Sequence, residues 1–222
     1  MISLNREGPI FILVMQAGEN RFNRGFVNAL NGALDEIEGS SGPAALVTTG
    51  TDKFFSNGLD LDWLMGAGAS EGPGFIPDFL KLLGRFLALP LPSAAAINGH
   101  AFAGGGMFAL TQDFRVMRAD RGFFCLPEID LSMPLAPGMN GLITGKLGIH
   151  VATDLLLTGR RVGGEEAVRL GVVDAAVAAD QVLPQAMARV EPLAAKDRAT
   201  YGALKRGLFG PAIELLAGGA MR

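Results

Sequence analysis

The chain has 222 residues, enough for one domain or a domain with an appendage. Hydrophobic residues make up 49% and charged residues 18%, with a net charge of −3, so a sizeable core is expected and a basic nucleic-acid-binding stripe is excluded. The single cysteine, Cys125, rules out an intramolecular disulfide and a cysteine metal cluster, and reads as a small buried hydrophobe.

In chain order, Ile2–Arg6 and Ile10–Met15 flank Glu7-Gly8-Pro9, which predicts strand, turn and strand. Phe26, Leu30, Leu34 and Ile37 recur at helical intervals and predict an amphipathic helix over 24–38, ended by Ser40-Ser41-Gly42-Pro43. Ala44–Thr49 has the length and apolarity of a strand. A tight turn centred on Gly58 follows, leading to a short helix over 60–65. Asp60 can cap that helix or contact a ligand. Residues 66–77 hold four glycines and two prolines and read as neither helix nor strand, either a lid over a long substrate or a connector. A helical pattern resumes over 78–89, and Pro90 and Pro92 stop it.

The next stretch, residues 98–108, organises the rest. An apolar run, Ser93–Ile97, leads into Gly104-Gly105-Gly106, and an apolar segment at helical spacing follows. A glycine triplet between two apolar segments is entropically costly to order. Either something approaches the backbone closely where a helix begins, or the triplet is a flexible connecting loop. A helix start offers unpaired N–H donors to an oxygen acquiring negative charge. The spacing is not that of a nucleotide phosphate loop.

Beyond it, strands are expected over 113–118 and 123–126, then an irregular stretch over 133–138. From Met139 the pattern is helical, broken at Gly148 and again around 159–164. A short helix over 163–171 precedes a last strand over 172–177. Helices follow over 180–195 and 198–207, with one more turn over 211–216. Strands mixed with helices through Val177, then helices alone, predict an α/β core over 1–178 and a helical region over 179–222. Within the core, two-strand-plus-helix units recur loosely. No basic N-terminal region precedes a long apolar run, and no apolar stretch approaches the roughly 20 residues that span a bilayer. The C-terminal Ala-Met-Arg is not the usual peroxisomal tripeptide. A soluble cytoplasmic protein is expected, without membrane or nucleic-acid partners.

Three pieces carry a resemblance: F-F-S-N-G-L-D-L at 54–61, N-G-H-A-F-A-G-G-G-M-F-A-L at 98–110 and F-C-L-P-E-I-D-L at 124–131. A weaker fourth is L-T-G-R-R-V-G-G-E-E-A-V-R-L-G-V-V-D at 157–174. In this order and at these separations the chain resembles the crotonase superfamily, also called the enoyl-CoA hydratase/isomerase family. The resemblance implies a spiral of ββα turns followed by a C-terminal helical region used for oligomerisation, as a trimer or dimer of trimers. It implies acyl-CoA thioesters as substrates, with no metal and no separate cofactor, CoA being part of the substrate.

By position, the resemblance makes the backbone N–H groups of Leu59 and Gly105 the oxyanion hole. It places Asn57, Gly58, Gly104, Phe108, Pro127 and Leu135 around the substrate, and makes Glu128 catalytic. Hydratases of the family use two glutamates. Here the first position is Phe108 and the second is Glu128, so the chain is most like the single-glutamate Δ3,Δ2-enoyl-CoA isomerases. Glu128 would move a proton from C2 to C4 of a 3-enoyl-CoA through a dienolate held by Leu59 and Gly105. A dry pocket would raise the pKa of Glu128 by desolvation. Asp130 shares a face with Glu128 if the segment is extended, which would make it a second carboxylate. The alternatives are a hydratase, hydrolase or lyase of the same family, or a non-catalytic acyl-CoA-binding subunit. Lys205 and Arg206 read as solvated charges or as contacts to CoA phosphates.

Overall fold

The computed structural model describes residues 1–219. Six strands form the larger sheet in the order β1-β2-β3-β5-β7-β9: β1 (Ile2–Glu7), β2 (Ile10–Met15), β3 (Ala45–Gly50), β5 (Ser93–Ile97), β7 (Phe114–Arg118) and β9 (Ala175–Val177). Only the β1–β2 hairpin is antiparallel; every other neighbouring pair in this sheet is parallel. Strands of a parallel sheet are covered on both faces, which is why β2, β3 and β5 read as near-continuous apolar runs. Alternate residues enter two cores. Phe11, Leu13, Leu46 and Ala95 face the main core, whereas Ile10, Ile12, Val47 and Ala96 face a second one closed by Val182, Ala186 and Val190 of α7 (Val182–Val190).

A smaller parallel sheet has the order β4-β6-β8, from Phe54–Ser56, His100–Phe102 and Phe124–Cys125. Each spiral turn places one strand in the large sheet and the next in the small one. Thus β3, β5 and β7 are neighbours in one sheet and β4, β6 and β8 in the other. The loose two-strand-plus-helix recurrence in the sequence is this geometry.

Helices fill the turns: α1 (Arg24–Gly39), the short α2 (Leu61–Met65) capped by the Asp60 side chain on Trp63 N–H, α3 (Gly72–Ala88), α4 (Gly104–Thr111) and α5 (Pro137–Thr158). Gly148 interrupts α5 with φ +71, as its glycine break predicts. A short helix, α6 (Gly164–Arg169), precedes β9.

Three expectations are corrected. Residues 72–77 are the first turns of α3, and 66–71 a run of hydrogen-bonded turns. The glycines and prolines are overruled by tertiary anchors. Phe75 is fully buried against Trp63, with ring centroids 5.0 Å apart, and Arg24 bridges Glu71 and Asp78. The last strand shortens to Ala175–Val177, because the N–H groups of Val172 and Val173 both turn back to the Ala167 carbonyl. The two C-terminal segments are one helix, α8 (Arg198–Ala217), running through Pro211. An interior proline costs about 3 kcal/mol. Buried Ala212 and Leu216 offset it: Leu216 packs so closely on α3 and α5 that a Cβ on Gly84 would lie 3.1 Å from its own Cβ.

Lys205 is also reassigned. It is 4% exposed, with Nζ 2.9 Å from Asp113, whose other oxygen accepts from Tyr201 and from Ser93. It ties α8 to the start of β7 and is neither a solvated charge nor a contact for CoA phosphates. Cys125 is buried, and its thiol donates to the Gly159 carbonyl.

Candidate active site

Three loops leave the carboxyl ends of three adjacent parallel strands. Asn57-Gly58-Leu59 follows β4, Ala103-Gly104-Gly105 follows β6, and Leu126-Pro127-Glu128 follows β8. In α/β sheets this end is where loops converge on a ligand. The register of β4, β6 and β8 therefore brings together residues as far apart in sequence as Asn57 and Glu128.

The first two loops touch through glycine. Gly58 has φ +81, a region that side chains avoid, and a Cβ there would lie 3.0 Å from the Phe102 carbonyl and 3.1 Å from Gly104 N. A Cβ on Gly105 would collide with the Ser56 backbone carbonyl. Both positions admit glycine only, so the backbones of the two loops can lie against each other. Ala103 precedes α4 with φ +49 and ψ −124, a strained conformation for a residue with a side chain. Hydrogen bonds hold it there: its N–H donates to the Cys125 carbonyl and its carbonyl receives the Met107 N–H.

The Leu59 N–H and the N–H groups in the first turn of α4, that of Gly105 among them, are left without backbone partners. Phe22 N–H bonds the Gly58 carbonyl, and Asp60 N–H bonds the Phe22 carbonyl. Such a parallel bridge uses the groups on either side of Leu59, so the Leu59 N–H points away from Phe22. Gly105 lies in the first turn of α4, where N–H groups have no partner within the helix. Among the described residues, neither N–H bonds a backbone carbonyl.

Beside these loops lies a cavity of about 170 Å³. Of the residues expected at the site, Asn57, Leu59, Gly104, Glu128 and Leu135 line it. Gly58, Gly105 and Pro127, also expected at the site, do not line it. Ile76 and Phe79 of α3 and Met107 of α4 also line it. Residues 66–77, expected as a lid or connector, thus contribute a helical wall through Ile76.

Phe108, expected in the pocket, does not line it. Its ring is fully buried between Phe86, Phe22 and Phe55, at centroid distances of 4.7, 5.7 and 6.0 Å. Met107 faces the cavity in its place. Asp130 is also placed elsewhere. The N–H groups of Asp130 and Leu131 both return to the Pro127 carbonyl, so the segment is coiled and alternate residues do not share a face. Asp130 is exposed, with its carboxylate against Gly159.

Glu128 is 8% exposed, and its Oε2 has no hydrogen-bond partner. It is the one ionisable side chain among the described residues that line the cavity. Desolvation by the surrounding apolar side chains pushes its pKa up to about 7, partly opposed by a backbone hydrogen bond. This places the carboxyl where a general base and its conjugate acid are both accessible near neutral pH.

The same shift predicts a pH-dependent stability. Below about pH 4.5 the carboxyl is protonated in both folded and unfolded chains. Between about 4.5 and 7 it ionises only in the unfolded chain, so stability falls across that window and the loss levels off above about 7. The full loss is about 3 kcal/mol. Glu128→Gln is therefore expected to match the wild type in thermal melts near pH 4 and to exceed it at pH 8. A difference between the two that does not change with pH would contradict the burial of an ionisable group here.

One positioning residue carries no sequence signal. Asn20 is fully buried with φ +50; its Nδ2 donates to the carbonyls of Met15, Phe54 and Phe55, and its Oδ1 accepts from Ala17 N–H. Ser56 Oγ then donates to the Asn20 carbonyl and accepts from Gly58 N–H. Asn20 thus holds the end of β4 that aims the Leu59 loop. Its place in A-G-E-N-R-F-N has no spacing that marks it in advance.

Residues 9–212 match the family profile described as Enoyl-CoA hydratase/isomerase. The chain is 36% identical over 219 residues to Enoyl-CoA delta isomerase 3 of Arabidopsis thaliana, covering 94% of this chain and 92% of that protein. It is 34% identical to the peroxisomal Enoyl-CoA delta isomerase 2 of the same plant, with the same coverage of each. Among solved structures, a probable enoyl-CoA hydratase from Mycobacterium tuberculosis superposes with a TM-score of 0.90 at 24% identity, over 98% of this chain and 92% of the other. At that identity the likeness is one of fold.

Proposed function

Because the chain belongs to the enoyl-CoA hydratase/isomerase family, we propose that it is a Δ3,Δ2-enoyl-CoA isomerase that works with one carboxyl group. The observation that carries this reading is the solitary, desolvated Glu128 in a cavity otherwise lined by uncharged, mostly apolar side chains.

The thioester oxygen of a 3-enoyl-CoA accepts hydrogen bonds from the Leu59 and Gly105 N–H groups. Glu128 carboxylate removes a proton from C2, and the C2 electron pair delocalises into a dienolate whose charge rests on that oxygen. The carboxyl, now protonated, returns the proton at C4, and the double bond ends between C2 and C3. No atom is gained or lost. Fixed donors in a dry site stabilise the developing charge, each worth about 10²–10³ in rate.

Hydration asks for more than the cavity offers. A water held for attack needs two to four polar partners, and the position of a second glutamate is taken by Phe108 within an aromatic cluster. The Asn57 amide is engaged by Glu19, at 2.8 Å. The proposal includes a homo-oligomer, a trimer or dimer of trimers, for which α8 presents exposed Leu204 and Leu208 one helical turn apart. It requires neither a metal nor a redox cofactor.

Offered 3-hexenoyl-CoA, the protein is expected to produce the conjugated thioester, with kcat/KM rising with pH through about 7 as Glu128 ionises. Offered 2-hexenoyl-CoA, it is expected to add no water. Loss of the 2-enoyl thioester without isomerisation of the 3-enoyl one would instead support a hydratase.

A further inference from the structure

The cavity holding Glu128 has a volume of about 170 Å³, well below the roughly 300–1,000 Å³ of sites that enclose a drug-sized ligand. A short acyl chain fills it. A second, more open groove of about 360 Å³ adjoins it along the segment 128–135. Glu128, Met133, Pro134 and Leu135 line both spaces, so this segment is a shared wall. Ile129 and the α5 residues Leu156 and Leu157 form the groove's apolar part, and Leu157 is 69% exposed while contributing to no other described part of the site.

Building on the isomerase reading, we propose that acyl chains too long for the inner cavity leave it past Glu128 and Leu135 and lie in this outer groove against Leu156 and Leu157. The direction follows from the chemistry. C1 is fixed at the Leu59 and Gly105 donors, and one carboxyl must reach both C2 and C4, so the chain runs alongside Glu128. Carbons beyond C4 continue from the residue at which the inner cavity and the outer groove meet. The wall itself suits an apolar occupant: Leu131 and Met133 are 45% and 39% exposed, and no ionisable side chain other than Glu128 lines the groove among the described residues. The occupant is thus an unbranched hydrocarbon tail, and the groove sets the preference for chain length.

Binding of saturated hexanoyl-CoA and decanoyl-CoA, measured by titration calorimetry, tests this without turnover. Leu157→Asn places a polar group on the groove, and Leu157→Trp fills it; the exposed position keeps both variants folded. Each is expected to weaken decanoyl-CoA about tenfold while leaving hexanoyl-CoA unchanged. An unchanged decanoyl-to-hexanoyl ratio in both variants overturns the proposal, as does equal weakening of the two esters. A wild type that binds neither ester overturns the acyl-CoA reading on which it rests, a result distinct from a wild type that binds both.

Discussion

Glu128→Gln is expected to lower kcat for isomerisation by about 10⁴-fold while leaving acyl-CoA binding little changed, at the upper end of what a positioned general base contributes. The amide fills the same volume and keeps a polar atom where Oε2 stands, so the cavity and the Leu59 and Gly105 donors are retained. On the single-carboxyl proposal, what is lost is the group that accepts the C2 proton. No other ionisable side chain among the described residues lines the cavity. Asp130, the nearest other carboxylate in sequence, is exposed and turned against Gly159, so Asp130→Asn is expected to retain wild-type kcat. Calorimetric binding of hexanoyl-CoA alongside steady-state rates separates the two effects. A Glu128→Gln variant within tenfold of wild type would remove Glu128 from the mechanism.

Phe108→Glu is expected to unfold the protein or leave it without a cooperative transition, rather than convert it to a hydratase. The resemblance puts position 108 where the family's hydratases carry their first glutamate, yet here its ring is enclosed by Phe86, Phe22 and Phe55 and does not reach the cavity. Truncating a buried phenylalanine costs about 3–5 kcal/mol, and burying an unpaired carboxyl adds several more. Together these approach the whole stability of an ordinary domain, about 5–15 kcal/mol. Met107→Glu differs because that side chain faces the cavity, which leaves space for a carboxyl without displacing a packed ring. It is expected to keep a cooperative melt by circular dichroism. A Phe108→Glu protein melting near the wild type would mean that position 108 opens onto the site.

The pair Met107 and Phe108 also shows where the sequence runs out. Motif spacing assigns residues to a loop but not to the side of a helix, and periodicity ordinarily supplies that second fact. Every residue of α4 from Gly104 to Thr111 is buried, so the helix has no polar face to orient it. Asp130 shows a related limit: sharing a face with Glu128 requires an extended strand, and the carbonyl of Pro127 coils the segment instead. The start of α3 was hidden by glycine and proline composition that Phe75 and Arg24 overrule through contacts distant in sequence. Lys205 read as solvated because its partner, Asp113, lies 92 positions away and only the packing of α8 brings them together.

What could be read was the framework. The apolar runs of β2, β3 and β5 and the four-residue spacing in α1 are direct consequences of burial on two faces and on one. Of the two readings the glycine triplet at 104–106 allows, close backbone approach is the one realised, and what approaches is the loop of Gly58. Asn20, which fixes that arrangement through three donated bonds, had no pattern to announce it.

The proton's path tests the single-carboxyl account most directly. 3-Hexenoyl-CoA carrying deuterium at both C2 positions, incubated with the protein in ordinary water, should yield conjugated product with deuterium at C4, because Glu128 hands back the atom it removed before solvent exchanges it. Product whose C4 has gained only solvent hydrogen, or a 3-hydroxyacyl product, would show that a second group or a bound water takes part.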